Sequence, residues 1–87
     1  MDRAENLISR FDIEMLKTLQ KRKDGYGVIE LKDKFKVNPR SIKRHVQRLE
    51  NLKLITRSRI EKTNQADIRI NENGKELLQM FERLLKN

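Results

Sequence analysis

Cysteine is absent, which excludes disulfides, thiolate nucleophiles and thiolate metal sites together. With a single histidine besides, the chain lacks the soft donor cluster that selects zinc or copper. The carboxylates are not spaced for a hard cation either, so no metal and no cofactor are expected. No apolar run approaches the roughly 20 residues that span a bilayer, and no apolar leader stretch is present. A membrane partner is therefore not expected, and a cytoplasmic, intracellular location follows by default. No paired carboxylates, Ser-His-Asp set or glycine-rich phosphate loop stands out, so nothing points to an enzyme.

Charge is what the chain has in abundance. Of 87 residues, 39% are charged and only 36% are hydrophobic. A chain this short fits one domain, 1–87, with a thin core. Apolar positions beyond that core's needs are expected to face a second subunit. A net charge of +8 and a pI near 10.1 suit an anionic partner, most commonly nucleic acid, and equally a solvated surface tuned for solubility. Clustering tips that balance. Residues 40–69 hold nine Lys/Arg against three acids, a net +6 of the +8, and the other 57 residues carry only +2.

Hydrophobic spacing divides the chain into elements. Ala4, Leu7, Ile8, Phe11, Met15 and Leu19 recur at steps of three and four, predicting an amphipathic helix over about 2–22. A break is expected near Ser9 to Asp12, either of which can cap a second start. Asp24-Gly25-Tyr26-Gly27 is the expected stop, with Tyr26 a loop anchor that packs its ring. Leu31 and Phe35 share a face of a two-turn helix over about 29–36, with Val28 or Ile29 entering the core ahead of them. Val37 plugs the following turn. Asn38 suits a helix N-cap, and the sole proline, Pro39, suits the first helical position. Ile42, Val46 and Leu49 then give a third helix one apolar edge. Residues 54–60 alternate as a strand, 61–66 form a polar hairpin tip, and Ile68 and Ile70 return inward. Asn71 can cap a last helix striped by Leu77, Leu78, Phe81, Leu84 and Leu85. Asp12, Glu14, Glu30 and Asp33 are expected on helix surfaces, and His45 as a half-buried packing residue.

The stretch Ser41-Ile42-Lys43-Arg44-His45-Val46-Gln47-Arg48-Leu49-Glu50, followed by Leu54-Ile55-Thr56-Arg57, resembles the recognition helix and first wing strand of MarR- and ArsR-type regulators. Ile68-Arg69-Ile70-Asn71-Glu72-Asn73-Gly74-Lys75-Glu76-Leu77-Leu78 is similar to their junction of strand and last helix. The resemblance covers nearly the whole chain. It implies a winged helix-turn-helix, mainly α with a small β-hairpin (an α+β fold), in the order α1-α2-α3-β-wing-β-α4. The helix-turn-helix and wing fall in 28–71, with an N-terminal helix in 1–24 and a C-terminal helix in 72–87. Lys53 departs from the pattern, since such proteins usually place glycine there. It must adopt a left-handed conformation or a different turn.

The implied function is sequence-specific binding of double-stranded DNA by a homodimeric, nucleoid-associated transcriptional regulator. Repression is favoured, because occupying a promoter needs no further surface. A helix fits the major groove and reads base edges from its N-terminal half. Arg44 and Gln47 are the candidates for base contact, Arg40, Ser41 and Lys43 for mixed base and phosphate contact, and Arg48 is a further DNA-binding candidate on the same helix. In the wing, Arg57, Arg59, Lys62, Asn64 and Gln65 are candidates for the minor groove or backbone. Ala4, Leu7, Ile8, Phe11, Leu84 and Leu85 exceed the needs of a small core and are candidates for the two-fold interface. No feature identifies a small-molecule effector or an operator. Two alternatives stand beside this reading: a winged-helix protein-interaction module, and a nonspecific nucleoid or RNA-binding protein.

Overall fold

A computed structural model describes residues 8–62 and 65–86. Helices α1 (Arg10–Gln20), α2 (Val28–Phe35) and α3 (Pro39–Asn51) precede strands β1 (Ile55–Ile60) and β2 (Gln65–Ile70), and α4 (Glu72–Lys86) follows. The order among the described residues is the expected one, mainly α with one small hairpin.

Short polar side chains cap α1, α3 and α4, whereas the N-cap of α2 is Gly27, whose amide donates to Glu30 Oε1 at 3.0 Å. Ser9 Oγ accepts from the Asp12 amide at 3.1 Å, and the Asp12 carboxylate accepts from the Ser9 amide at 3.0 Å. This reciprocal capping box makes Ser9 the cap and Asp12 its partner. The part of the expected first helix over residues 2–7 lies outside the described residues. α1 ends at Gln20, ahead of the Asp24-Gly25 stop. α2 begins at Val28, which is half-buried, whereas Ile29 is exposed, so Val28 is the one that enters the core. Lys36 is not helical but left-handed (φ 56°), its amide donating to the Lys32 carbonyl at 2.8 Å. Asn38 caps α3 by accepting from the Arg40 amide at 2.7 Å, with Pro39 in the first turn.

The core gathers one side of each element. Ile13, Met15, Leu16 and Leu19 of α1 meet Leu31 of α2 and Ile42, Val46 and Leu49 of α3. Leu54, Ile55, Ile68 and Leu78 close it from the hairpin and α4. The strands are antiparallel, registered from Ile55 against Ile70 to Ile60 against Gln65. Gln65 and Ala66 therefore belong to β2 and not to the tip. Residues directly opposite share a face, so Ile55, Arg57 and Arg59 lie on the side of Ile70, Ile68 and Ala66. Ile55 and Ile68 are buried, and the two arginines continue that face beyond the core's edge. Tyr26 is more than a packed ring. Its amide and carbonyl both pair with Ile68 at 2.9 Å, adding an isolated bridge beside the hairpin.

Lys53 takes the left-handed conformation (φ 64°). Its carbonyl accepts from Asn71 Nδ2 at 3.0 Å and Asn73 Nδ2 at 3.1 Å, which holds the unusual exit in place. Asn71 Oδ1 accepts from the Gly74 amide at 3.0 Å and so caps α4. Gly74 packs directly on the hairpin: a Cβ there would collide with the Leu54 carbonyl and the Ile70 side chain. Along α4, Leu78 is buried and Leu77 half-buried, while Met80, Phe81, Leu84 and Leu85 face outward. No helix among the described residues is long and apolar enough to cross a membrane.

Candidate nucleic-acid interface

With Ile42, Val46 and Leu49 buried, the 3.6-residue period turns Arg40, Lys43, Arg44 and Gln47 of α3 outward. Ser41 is half-buried beside them. The side chains of Arg40, Lys43 and Arg44 make no ion pair among the described residues. Gln47 is engaged: its Nε2 donates to Asn51 Oδ1 at 3.1 Å, and its Oε1 accepts from Arg57 Nη2 at 3.2 Å. Arg57 also pairs with Glu50 at 3.0 Å. Exposed ion pairs contribute only about 0–1 kcal/mol, less than the roughly 1–3 kcal/mol of a bidentate base contact. The Arg57–Glu50 pair is therefore weak, while the Arg57–Gln47 contact is a hydrogen bond between exposed side chains.

Arg48 is turned elsewhere. It is half-buried and points toward Asp12, with Nη2 3.8 Å from Oδ2. The sequence grouped Arg48 with the outward basic face; the structure puts it on the inner edge of α3, because a buried acid draws it there. Asp12 in turn is not a surface acid but is 0% exposed. His45 is half-buried as expected, stacked on Phe11 at 4.3 Å with Nδ1 3.0 Å from Asp12 Oδ1. A Ser9-x-x-Asp12 pattern was the available signal for the cap; nothing local signalled the burial.

The wing joins α3 along one cleft. A cleft of about 450 Å³ is lined by Lys43 of α3 together with Arg57, Ser58 and Arg59 of β1, Val28 and Ala66. It brings cations from helix and hairpin into one site. Lys62 and Gln65 are exposed toward the tip, and Asn64 lies outside the described residues. Arg69 bonds Asp67 at 2.8 Å, on the face away from Arg57 and Arg59.

Behind the cleft, Arg22 braces the loop before α2. Its Nη2 donates to both Glu30 oxygens at 2.8 and 2.9 Å and to the Gly25 carbonyl at 2.8 Å, and its guanidinium lies 3.7 Å over the Tyr26 ring. The Arg22 hydrogen bond, with the Gly27 amide second, holds the Glu30 carboxyl below its ordinary value. The same bond to Glu30 raises Arg22.

Of the residues expected at a two-fold interface, Leu84 and Leu85 are 72% and 68% exposed. Ile8 and Phe11 pack against the chain's own core, Phe11 touching Phe35 at 5.0 Å as well as His45. Their burial is thus accounted for within the chain. Ala4 and Leu7 lie outside the described residues.

A capped helix with a free basic face, set across a tight turn from a shorter helix and followed by an antiparallel hairpin, is a winged helix-turn-helix. The family model described as the B-block binding subunit of TFIIIC matches residues 9–71, and the chain belongs to that family. Among solved structures, a variant of MepR from S. aureus superimposes with a TM-score of 0.84 at 18% identity, covering 98% of this chain and 62% of that one. The transcriptional regulator BldR from Sulfolobus solfataricus gives 0.79 at 23% identity, covering 92% and 57%. A MarR family protein from Bacillus stearothermophilus gives 0.77 at 25% identity, covering 91% and 55%. The chain thus spans little more than half the length of these relatives and shares the fold of MarR-type regulators. No curated protein matches it significantly.

Proposed function

We propose that the chain binds double-stranded DNA as a sequence-specific transcriptional regulator, with α3 in the major groove and the wing on the minor groove or backbone. The observation that carries this is the outward face of α3: Arg40, Lys43 and Arg44 are exposed and unpaired among the described residues, at the end of a capped helix suited to base contact. Arg44 and Gln47 read bases. Arg40, Ser41 and Lys43 mix base and phosphate contacts, and Arg57, Arg59, Lys62, Asn64 and Gln65 hold the wing to the duplex. Arg48 is left out of the contact set because it faces Asp12. Promoter occupancy by a two-fold dimer built on the terminal helices makes it a repressor located with the DNA in the cytoplasm.

A binding-site selection on random duplexes tests the reading, followed by titrations of Arg44→Ala and Arg59→Ala. Losing a bidentate base contact should cost about 1–3 kcal/mol and relax preference at one position. Losing a phosphate contact should weaken all duplexes alike and reduce the salt slope by about one unit. Equal and salt-independent losses in both variants would reject these roles. One observation favours a second reading, a protein-interaction module: α4 exposes Met80, Phe81, Leu84 and Leu85 in one stripe. Selection that enriches no sequence, with binding to duplexes that is weak at every salt concentration, would support that reading instead.

A further inference from the structure

Asp12 is fully buried, and its carboxylate serves two helices at once. Oδ2 accepts from the Ser9 amide at 3.0 Å, at the start of its own helix. Oδ1 lies 3.0 Å from His45 Nδ1, and Arg48 Nη2 lies 3.8 Å from Oδ2. His45 and Arg48 are three apart, so they share one edge of α3. Arg48 Nε and Nη2 are buried with no hydrogen-bond partner among the described residues, which leaves Asp12 as their countercharge. Phe11 adds a ring stacked on His45. Two consecutive residues of α1 therefore grip one edge of α3 by a ring and by a charge.

The grip has a consequence that apolar packing does not. Ile42, Val46 and Leu49 hold α3 close to the core, but hydrophobic contact is non-directional and tolerates rotation. The His45–Asp12 hydrogen bond, with a carboxylate as acceptor, is directional, and Arg48 adds its charge at 3.8 Å without a hydrogen bond. A buried carboxylate is also costly unless paired, so the folded chain keeps His45 and Arg48 on it. Lys43 and Arg44 precede His45 directly on α3, so the rotation that keeps His45 on Asp12 decides where they face.

We propose that Asp12 is a positioning residue for DNA recognition, fixing the rotation of α3 through His45 and Arg48 and hence the aim of Arg40, Lys43 and Arg44. This rests on the reading of α3 as the base-reading helix. Asp12→Asn keeps the shape and removes the charge; His45→Phe keeps the stack on Phe11 and removes the hydrogen bond. Ile13→Val, which thins the same helix's core without touching the grip, is the control for lost stability.

Two measurements decide the matter. Residual dipolar couplings of the free protein should show α3 reoriented relative to α1 in Asp12→Asn and His45→Phe but not in Ile13→Val. In titrations, preference for the selected duplex over a scrambled one should fall about tenfold in both grip variants, with affinity for the scrambled duplex nearly unchanged. A purely stabilising role would lower both affinities by the same factor. An unchanged orientation of α3, or a preference retained despite reorientation, overturns the proposal. If Asp12→Asn does not fold, His45→Phe carries the test. If the wild type prefers no duplex, the DNA reading fails, and the orientation of α3 alone decides the role of Asp12.

Discussion

Short polar side chains set where three of the four described helices begin: Ser9 for α1, Asn38 for α3 and Asn71 for α4. Asn38 is the case with the most direct consequence, since the helix it starts carries the candidate site. Asn38→Ala should destabilise the protein by about 0.5–2 kcal/mol, read as a lower urea midpoint at unchanged slope. An unmoved midpoint would mean that Pro39 suffices to start α3. Glu30 gives the second prediction at this scale. Its folded-state carboxyl is held low by the Arg22 hydrogen bond and then by the Gly27 amide. A lowered folded value stabilises above the unfolded value, ~4.3 for glutamate, and that contribution fades as pH falls through the lower folded value. Solvent screening keeps it small, because both side chains are substantially exposed. Wild type should therefore exceed Glu30→Gln in urea midpoint at neutral pH, with the gap closing in acid. A gap independent of pH would assign the stabilisation to shape and not to charge.

The elements show how far local pattern reaches. α3 was legible at its start and along its buried edge, because Asn38-Pro39 marks the one and Ile42, Val46 and Leu49 mark the other. The hairpin was legible as a pair of strands but not in its limits: Gln65 is polar in a wing with little to bury, so no alternation separates strand from tip. What stayed hidden depends on distant partners. Which of the basic residues on α3 turns inward is set by Asp12, on another helix, and the left-handed Lys53 is held by Asn71 and Asn73 from the start of α4. The outer basic face could be named from sequence, whereas its inner limit at Arg48 could not. Gly74 tests the packing of α4 on the hairpin. Alanine is favoured over glycine within a helix by about 1 kcal/mol. Here, however, the added carbon would strike the Leu54 backbone carbonyl, which cannot swing aside as a side chain can. Gly74→Ala should therefore destabilise by about 1–3 kcal/mol, while Glu76→Ala on the exposed side should be nearly neutral. A stabilised Gly74→Ala in thermal unfolding would show that α4 sits further from the hairpin.

For the molecule as a whole, the proposed dimer makes the farthest-reaching prediction. Leu84 and Leu85 stand in water in one chain, with Met80 and Phe81 a turn earlier on α4. Burying a leucine side chain fully contributes about 1.5–3 kcal/mol. A two-fold contact buries each such position twice, so Leu84→Ser with Leu85→Ser should raise the dimer dissociation constant by about 100-fold or more. The fold of residues 28–71 should persist, since neither leucine belongs to the core. Two copies of α3 would then lie about one turn of DNA apart, ~34 Å, and select a pseudo-palindromic site. Operator affinity should fall in the double variant although no residue facing DNA has changed, and affinity for an isolated half-site should not. Sedimentation equilibrium at micromolar concentration, paired with titration of whole and half sites, separates these effects. A wild type that sediments as a monomer and binds one unrepeated half-site as tightly as the full site would overturn the dimer and the palindrome together.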